Sequence, residues 1–436
     1  MDLFAIAIGG FAVLLLLLYL RMSVGVAMML VGAAGIYLIR PQAALPKLAL
    51  EIFGEATSYP LSIIPLFVLM GNLAGVSGMS RDIYTAAHTW IGHFRGGLAS
   101  AAVVGCAGFS ALSGSSLASA MTMGRVSLPE MKRFGYNDSL ATGAIAAGGT
   151  LGILIPPSAG FVVFAILTEE SIGRLFLAGI LPGIMLTSLF IVAIWLWTLR
   201  NPEIAPQNTE RFSWGQRFSA LGRASAILSI IFLTIGGIYG GVFSATEAAG
   251  IGAFLTLVVA LLRRSLNREN IKTVFSSTLQ ATGTVYLILF GAFMFKSFIG
   301  FTGITLFLAE YVGGLGLSGT QVMIAFLLVF IILGMFLDSF AMLVLTVPLI
   351  QPILEPLGVD MILFGVLAVI ALEMGLISPP VGMNVFIVKS VAPDVNIGTI
   401  FRGIWPFWGA MLVALVILLL FPQIVLMLPD TMLGAR

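Results

Sequence analysis

Apolar runs of about 20 residues recur along the whole chain and are separated by short polar connections. A helix of that length crosses a hydrocarbon core of about 30 Å. The pattern therefore predicts an all-α protein that crosses a lipid bilayer many times. The clearest runs cover residues 4–20, 22–39, 60–77, 176–199, 224–240, 244–262, 274–295, 321–337 and 405–428.

Composition supports a membrane protein, because 59% of the 436 residues are hydrophobic and only 9% are charged. A soluble domain carries about 25% charged residues. Residues 4–20 have no basic region before them and no small-residue cleavage site, so they are interpreted as a retained helix and not as a signal peptide. The net charge of +2, with no basic patch among aromatics, indicates no nucleic-acid partner. The single cysteine, Cys106, excludes a disulfide framework.

Two connections, 200–223 and 263–272, are both long and rich in basic residues. The positive-inside rule predicts that both lie in the cytoplasm. Two predicted spans lie between them, so the chain can leave the cytoplasm and return. The arginines of the first connection are Arg200, Arg211, Arg217 and Arg223.

The two halves of the chain resemble each other at an offset of 223 residues, and no gap is needed over the stretch that matches 116–157 with 339–380. Chance matching in a biased composition is the alternative, but three prolines at one offset favour an internal repeat, which many secondary transporters contain. An inverted orientation of the two repeats in the membrane is expected. The matched pairs include Pro352 with Pro129, Pro379 with Pro156, Pro380 with Pro157, and Ser339 with Ser116.

Each half contains a segment with a glycine and two adjacent prolines, at 148–158 and 375–384. Proline lacks an N–H group and breaks a helix. Bare backbone groups inside a membrane are tolerated only where protein or a wet cavity surrounds them. Carbonyls at such a break suit a cation, and N–H groups suit an anion. A simple kink is the alternative, but a repeated pair of breaks indicates a transporter's binding site.

The first half also contains a serine-rich segment, 108–116, that has the right length for a re-entrant hairpin, and its counterpart in the second half is 334–339. Small residues let two helical arms approach closely, although they also serve ordinary helix packing. Asp338 lies between two apolar runs, and an acid within a membrane is a candidate site residue. It could be an oxygen ligand near a cation or a structural hydrogen-bond acceptor. Glu373 could serve similarly.

Enzymatic alternatives have little support in the sequence. An intramembrane serine hydrolase needs a base beside its nucleophile, and both histidines, His88 and His93, lie in one polar connection. No Gly-x-Ser-x-Gly motif surrounds Ser113 or Ser116. The chain also has no P-loop, so it does not hydrolyse ATP itself. Transport would draw on an ion gradient or on another subunit.

Five motifs resemble the large membrane subunit of TRAP transporters, the tripartite ATP-independent periplasmic transporters of the DctM type. The resemblance runs nearly end to end and implies an elevator-type fold, in which a scaffold holds a mobile transport domain with two re-entrant hairpins and two broken helices. The motifs are Ser-Gly-Ser-Ser at 113–116 with Thr-Met-Gly-Arg at 122–125, Leu-Pro-Glu-Met at 128–131, and the segments 149–158, 334–338 and 375–384.

The resemblance also implies a set of binding residues. No cofactor is expected other than Na+ as the coupling ion, at two sites formed largely by backbone carbonyls. The first Na+ site would involve Ser110, Ser113, Gly152, Ile155 and Pro157. The second would involve Gly334, Gly375, Ser378 and Val381, with Asp338 close by. The substrate would lie near Ser116, Ser158 and Asn384.

Function and partners follow from the same resemblance. The chain would be the translocating subunit of a Na+-coupled importer of a small organic anion, such as a C4-dicarboxylate or sialic acid, in a bacterial inner membrane. A periplasmic binding protein would deliver the substrate, and a four-helix membrane subunit would be a separate polypeptide. The alternatives are an anion/Na+ symporter that needs no binding protein and, more remotely, an intramembrane hydrolase.

The predicted organisation alternates scaffold and transport regions. The regions are N-terminal scaffold helices at 1–96, a first transport region at 97–199, a cytoplasmic loop at 200–223, second scaffold helices at 224–320, a second transport region at 321–404 and a C-terminal helix at 405–436.

Overall fold

A computed structural model describes residues 3–206 and 212–432, and all regular elements in these two ranges are helical. Arg211, one of the predicted cytoplasmic arginines, lies outside the described residues. The helices of the first half are α1 (Leu3–Tyr19), α2 (Val24–Ile39), α3 (Pro41–Ala56), α4 (Ile63–Val76), α5 (Met79–Ile91), α6 (Gly97–Ser113), α7 (Ser116–Arg133), α8 (Asp138–Leu154), α9 (Ala159–Thr168) and α10 (Ile172–Arg200). Those of the second half are α11 (Trp214–Tyr239), α12 (Ala245–Leu262), α13 (Arg268–Thr302), α14 (Ile304–Gly314), α15 (Gly319–Gly334), α16 (Ser339–Leu354), α17 (Met361–Leu376), α18 (Met383–Val391), α19 (Ile397–Leu420) and α20 (Gln423–Asp430).

The prediction of an all-α, multi-span membrane protein is confirmed. Within the described ranges, seven helical segments are long and apolar enough to cross a membrane, or eight when α8 and α9 are counted as one bent span. The bend between α8 and α9 measures 40°. Six of the seven segments overlap apolar runs found in the sequence, whereas Ser339–Leu357 and the bent span do not. The runs 4–20, 22–39 and 321–337 form shorter apolar helices.

The structure divides two predicted segments differently. The run 405–428 is not one helix, because Pro422 cannot continue the hydrogen-bond ladder and α20 begins anew at Gln423. The segment 200–223 is not all loop, because α11 begins at Trp214. Ser213 starts that helix with a reciprocal capping box, in which its hydroxyl accepts from the Gln216 N–H and the Gln216 side chain accepts from the Ser213 N–H.

Helix starts in the two halves coincide at the offset found in the sequence. Helices α7 and α16 begin at Ser116 and Ser339, and α8 and α17 begin at Asp138 and Met361. The bonds Pro156-Pro157 and Pro379-Pro380 are both cis. The inverted orientation of the two halves stays a prediction.

The core lies around α8 and α17. Every residue of α8 from Leu140 to Leu154 is buried, and so is every residue of α17 from Phe364 to Leu376. Glycine allows the close helix contacts here, because a Cβ atom on Gly149 would lie 2.7 Å from the Ala120 side chain of α7. Because α8 and α17 lead directly into the Pro-Pro segments, the packing of this core fixes the position of both helix breaks.

Candidate functional site

The first hairpin turns within two residues. Helix α6 continues through Ser113, so the turn occupies only the end of the segment 108–116, in which a re-entrant hairpin was predicted. Gly114 has φ +57, a left-handed conformation that favours glycine, and it ends α6. Ser115 then caps α7 by accepting the Ala118 N–H at 3.4 Å.

Three buried hydroxyls join the arms of the first hairpin. The Ser119 Oγ lies 2.9 Å from Ser113 Oγ and 3.1 Å from Ser110 Oγ. Ser110 and Ser119 are fully buried, so this hydrogen-bonded cluster lies in the core. The structure brings Ser110 and Ser113 together through Ser119, a residue that the sequence analysis did not select.

The first helix break packs against this hairpin turn. The Ala159 N–H donates to the Gly114 carbonyl at 3.4 Å. A Cβ atom on Gly152 would lie 2.5 Å from the Ser115 carbonyl carbon, and one on Gly114 would lie 2.9 Å from the Pro157 carbonyl oxygen. Gly152 and Pro157 therefore lie against the turn, whereas the Ile155 side chain packs against Gly183 of α10.

The second hairpin is capped by a carboxylate. Asp338 precedes α16, and its Oδ1 accepts from the N–H groups of Phe340 at 3.0 Å and Ala341 at 3.1 Å. Asp338 occupies the position that Ser115 occupies in the first hairpin, so both tips carry a side-chain N-cap. These contacts show Asp338 as a structural hydrogen-bond acceptor, which is one of its two predicted roles. The other role, as an oxygen ligand near a cation, stays a prediction.

The second break also packs against its hairpin. A Cβ atom on Gly375 would lie 2.6 Å from the Cα of Gly334, so the two backbones touch. The Ser378 hydroxyl donates to the Met374 carbonyl at 2.6 Å and accepts from the Trp408 indole N–H at 3.0 Å. Val381 precedes Gly382, whose φ of +65 turns the chain into α18.

The three predicted substrate residues are buried and lie on different helices. Ser116 donates to Glu373 Oε1 at 2.7 Å, and Ser158 caps α9 by accepting the Phe161 N–H at 3.3 Å. The Asn384 amide donates to the Ala146 carbonyl at 3.5 Å. Its Oδ1 is buried without a hydrogen-bond partner among the described residues. A direct contact among the three side chains is absent from the hydrogen bonds of this part of the chain.

Glu373 connects the two hairpins. Its Oε1 accepts from Ser116 at the start of α7 and lies 3.5 Å from the hydroxyl of Ser339 at the start of α16. The residue is 1% exposed. Glu373 was a candidate oxygen ligand from the sequence, whereas Ser339 was known only as the repeat partner of Ser116, and that match was the signal that could have identified it as a site residue.

An ion pair fastens the far end of α7 to the connection before α19. Lys132 donates to Asp394, and both side chains are about half exposed. This hydrogen bond raises the pKa of Lys132 and lowers the pKa of Asp394 from their ordinary values. The two residues border a cavity of about 360 Å³ that Arg125, Tyr136 and Asp138 also line.

Two hairpin turns that pack against two helix breaks, in an all-α membrane chain, define a protein of the secondary-transporter class. Within that class, the chain belongs to the family described as the tripartite ATP-independent periplasmic transporter, DctM component, whose model matches residues 11–424. The family consists of transporter permeases and not of enzymes, which removes the hydrolase alternative.

Relatives with known names agree with this family. The C4-dicarboxylate TRAP transporter large permease protein DctM of Pseudomonas aeruginosa is 34% identical over 92% of this chain and 92% of its own length. The sialic acid TRAP transporter large permease protein SiaM of Vibrio cholerae is 30% identical over 96% and 97%. The ectoine TRAP transporter large permease protein TeaC of Halomonas elongata is 32% identical over 85% and 86%.

A solved structure shares the fold. The YdaH transporter of Alcanivorax borkumensis superposes with a TM-score of 0.62 at 18% identity, over 86% of this chain and 88% of that one. At this identity the similarity concerns the fold alone.

Proposed function

We propose that this chain is the translocating subunit of a Na+-coupled importer of a carboxylate in a bacterial inner membrane. A periplasmic binding protein delivers the substrate, and a small membrane subunit accompanies the chain. Membership of the DctM family supports this proposal. The observation that carries it is the paired contact of each hairpin turn with one helix break, at Gly114 with Pro157 and at Gly334 with Gly375.

Oxygen atoms near both contacts support the proposal that Na+ binds there. At the first turn, the hydroxyls of Ser110 and Ser113 are both hydrogen-bonded to the hydroxyl of Ser119. Each oxygen keeps lone pairs that could bind a cation. At the second, Ser378 keeps one lone pair after its two hydrogen bonds, and the ends of α15 and α17 meet at Gly334 and Gly375. The C-terminal ends of half-helices carry partial negative charge and favour a cation.

Coupling requires that Na+ binds one state of the tips better than another, since a ligand with equal affinity for both shifts nothing. Na+ bound across a turn and its break would hold the tip in the arrangement that accepts the substrate. The two hairpins and breaks would then move against the remaining helices as one body, as in an elevator mechanism. The first half contributes Ser116 and Ser158 to the substrate, and the second half contributes Asn384.

Transport into proteoliposomes tests this proposal. The vesicles would hold this chain with its small subunit, and uptake of labelled succinate and sialic acid would be measured under an inward Na+ gradient. We expect uptake only when both Na+ and the cognate binding protein are present, with choline in place of Na+ as the control. Uptake that ignores the binding protein would support a two-component symporter instead, and uptake that ignores Na+ would refute the coupling.

A further inference from the structure

The side-chain carboxyl group of Glu373, a residue of the protein itself, lies between the two hairpin tips. Glu373 of α17 is 1% exposed, and its Oε1 lies 2.7 Å from Ser116 Oγ and 3.5 Å from Ser339 Oγ. Both serines are the first residues of their helices, at equivalent positions of the two halves. The hydroxyls are the only hydrogen-bond partners of Glu373 among the described side chains.

The starts of α7 and α16 are suited to an anion. Both helices are long, with 18 and 16 residues, and the first N–H groups of a helix carry partial positive charge. The N-caps Ser115 and Asp338 use only the N–H groups of the second and third helical residues, at Phe340, Ala341 and Ala118. The hydroxyls of the first residues, Ser116 and Ser339, are not used by the caps and converge on Glu373 from the two helix starts.

Glu373 is weakly held for a buried carboxylate. A carboxylate has about four lone-pair positions, and only Oε1 of Glu373 is contacted. Oε2 is buried and has no hydrogen-bond partner in the described part of the chain. An acid within the membrane is costly to maintain, which favours a functional role over a packing role. Glu373 has only two hydroxyl contacts among the described residues, and one of them is long. Another carboxylate can therefore take its place at the two hydroxyls.

We propose that Ser116 and Ser339 together bind the substrate carboxylate, and that Glu373 is an internal substitute that occupies this place while no substrate is bound. The inference rests on the proposed function and deepens it, because it assigns Ser339 to substrate binding and gives Glu373 a role. An arriving carboxylate takes over both hydroxyls, and Glu373 withdraws because each serine hydroxyl has only one proton to donate.

The substitute also explains how the empty carrier keeps its tips together. Glu373 joins the first hairpin to the second through Ser116 and Ser339, so the pair stays closed without substrate. The loaded carrier keeps the same closure, because the substrate carboxylate makes the same two contacts. In both forms one carboxylate connects α7 to α16.

Competition predicts that substitution of Glu373 raises the affinity for carboxylate, whereas a purely structural role of Glu373 would not predict this increase. Glu373→Gln keeps the shape of the side chain and replaces the competing carboxyl group by a neutral amide, so it should tighten carboxylate binding by about tenfold, a change typical of one hydrogen bond to a charged group. Ser116→Ala and Ser339→Ala should each weaken binding by about tenfold for the same reason. Glu355→Gln is the matched control, since Glu355 is exposed and contacts Gln351 at 2.9 Å.

The measurement is the shift of the unfolding midpoint of the full chain with its small subunit in nanodiscs. Succinate and sialic acid are titrated at fixed NaCl, and the apparent affinity follows from the concentration dependence of the shift. Ser339→Thr, which keeps a hydroxyl, should bind as the wild type does, and this separates loss of the hydroxyl from loss of folding.

A second measurement needs no ligand. Amide hydrogen exchange should be faster in residues 113–120 and 336–343 of Glu373→Ala than in the wild type, and unchanged in α11. Carboxylate should restore the protection of both segments, because it replaces the missing side chain.

The outcomes separate the two proposals. Weaker carboxylate binding in Glu373→Gln, or normal binding in Ser339→Ala, would overturn this inference while wild-type binding still supports the proposed function. If neither carboxylate shifts the wild-type midpoint, this inference fails, and the proposed function is then decided by the uptake assay with the binding protein.

Discussion

The indole N–H of Trp408 donates a 3.0 Å hydrogen bond to the hydroxyl oxygen of Ser378. This contact joins α19 to the helix break of the second half, and the Ser378 hydroxyl in turn donates to the Met374 carbonyl. The position of Ser378 is thus fixed from two sides. If the carbonyl or hydroxyl oxygen of Ser378 binds Na+, the indole of Trp408 keeps that oxygen in place.

Trp408→Phe removes this N–H and keeps most of the ring volume. A neutral hydrogen bond contributes about 1 kcal/mol, so we expect the Na+ concentration for half-maximal uptake to rise about fivefold. Trp405→Phe is the control, because the Trp405 side chain is 58% exposed and has no such hydrogen bond among the described residues. An equal effect of the two substitutions would show that ring size matters and the N–H does not.

Local chemistry explains which parts of the site were predictable. The breaks at Pro156-Pro157 and Pro379-Pro380 follow from the missing N–H of proline, which acts wherever the residue stands. The turn at Gly114 follows from a conformation that glycine adopts readily. The end of α19 before Pro422 obeys the same rule and was overlooked, because the surrounding residues are continuously apolar.

The partners across the fold were not predictable from local pattern. Ser119 meets Ser113 and Ser110 only because the hairpin folds α7 back onto α6. Ser116 and Glu373 are 257 positions apart in the chain, and neither residue carries a local signal for the other. One long-range signal existed in the repeat, which places Ser339 where Ser116 stands in the first half.

We expect Asp338 to contribute to stability and transport mainly as the N-cap of α16 and less through its charge. Asp338→Ala removes the acceptor for two N–H groups, and we expect it to lower the free energy of unfolding by about 1 kcal/mol and to reduce Na+-dependent uptake. Asp338→Ser should recover stability and most of the uptake, because serine is also a good N-cap and stands at the equivalent position 115.

The comparison of these two variants decides the role of Asp338. The measurements are chemical denaturation and uptake at several Na+ concentrations, with expression checked for each variant. A serine variant that is stable but has lost its response to Na+ would contradict the capping role and assign the carboxylate to the ion.

The ion pair of Lys132 with Asp394 predicts a small pH dependence of stability. The lowered pKa of Asp394 means that its contribution is present at neutral pH and is lost as the pH falls below about 3.9 and through the folded-state value. The raised pKa of Lys132 means that its contribution is present below about 10.4 and is lost as the pH rises through the folded-state value.

Unfolding midpoints of the wild type and Asp394→Asn, measured from pH 3 to pH 11, would check this dependence. We expect a small difference at neutral pH that decreases toward both extremes and shrinks in about 1 M salt, because the pair is solvent-exposed. A difference that persists at low pH would mean that the introduced amide disturbs the structure and that the charge is not the cause.

Glycine is required where the helix breaks touch the hairpins, and this gives the sharpest test of the site's geometry. A Cβ atom on Gly152 would lie 2.5 Å from the Ser115 carbonyl carbon, and one on Gly375 would lie 2.6 Å from the Gly334 Cα. The obstructing atoms are backbone, which cannot rotate away. We expect Gly152→Ala and Gly375→Ala each to lower the free energy of unfolding by about 1–3 kcal/mol and to abolish uptake.

Gly250→Ala is the matched control, because its Cβ atom would meet nothing within 4 Å and alanine favours a helix. Active transport by Gly152→Ala at normal Na+ dependence would show that the close contact of turn and break is not needed for the transport cycle.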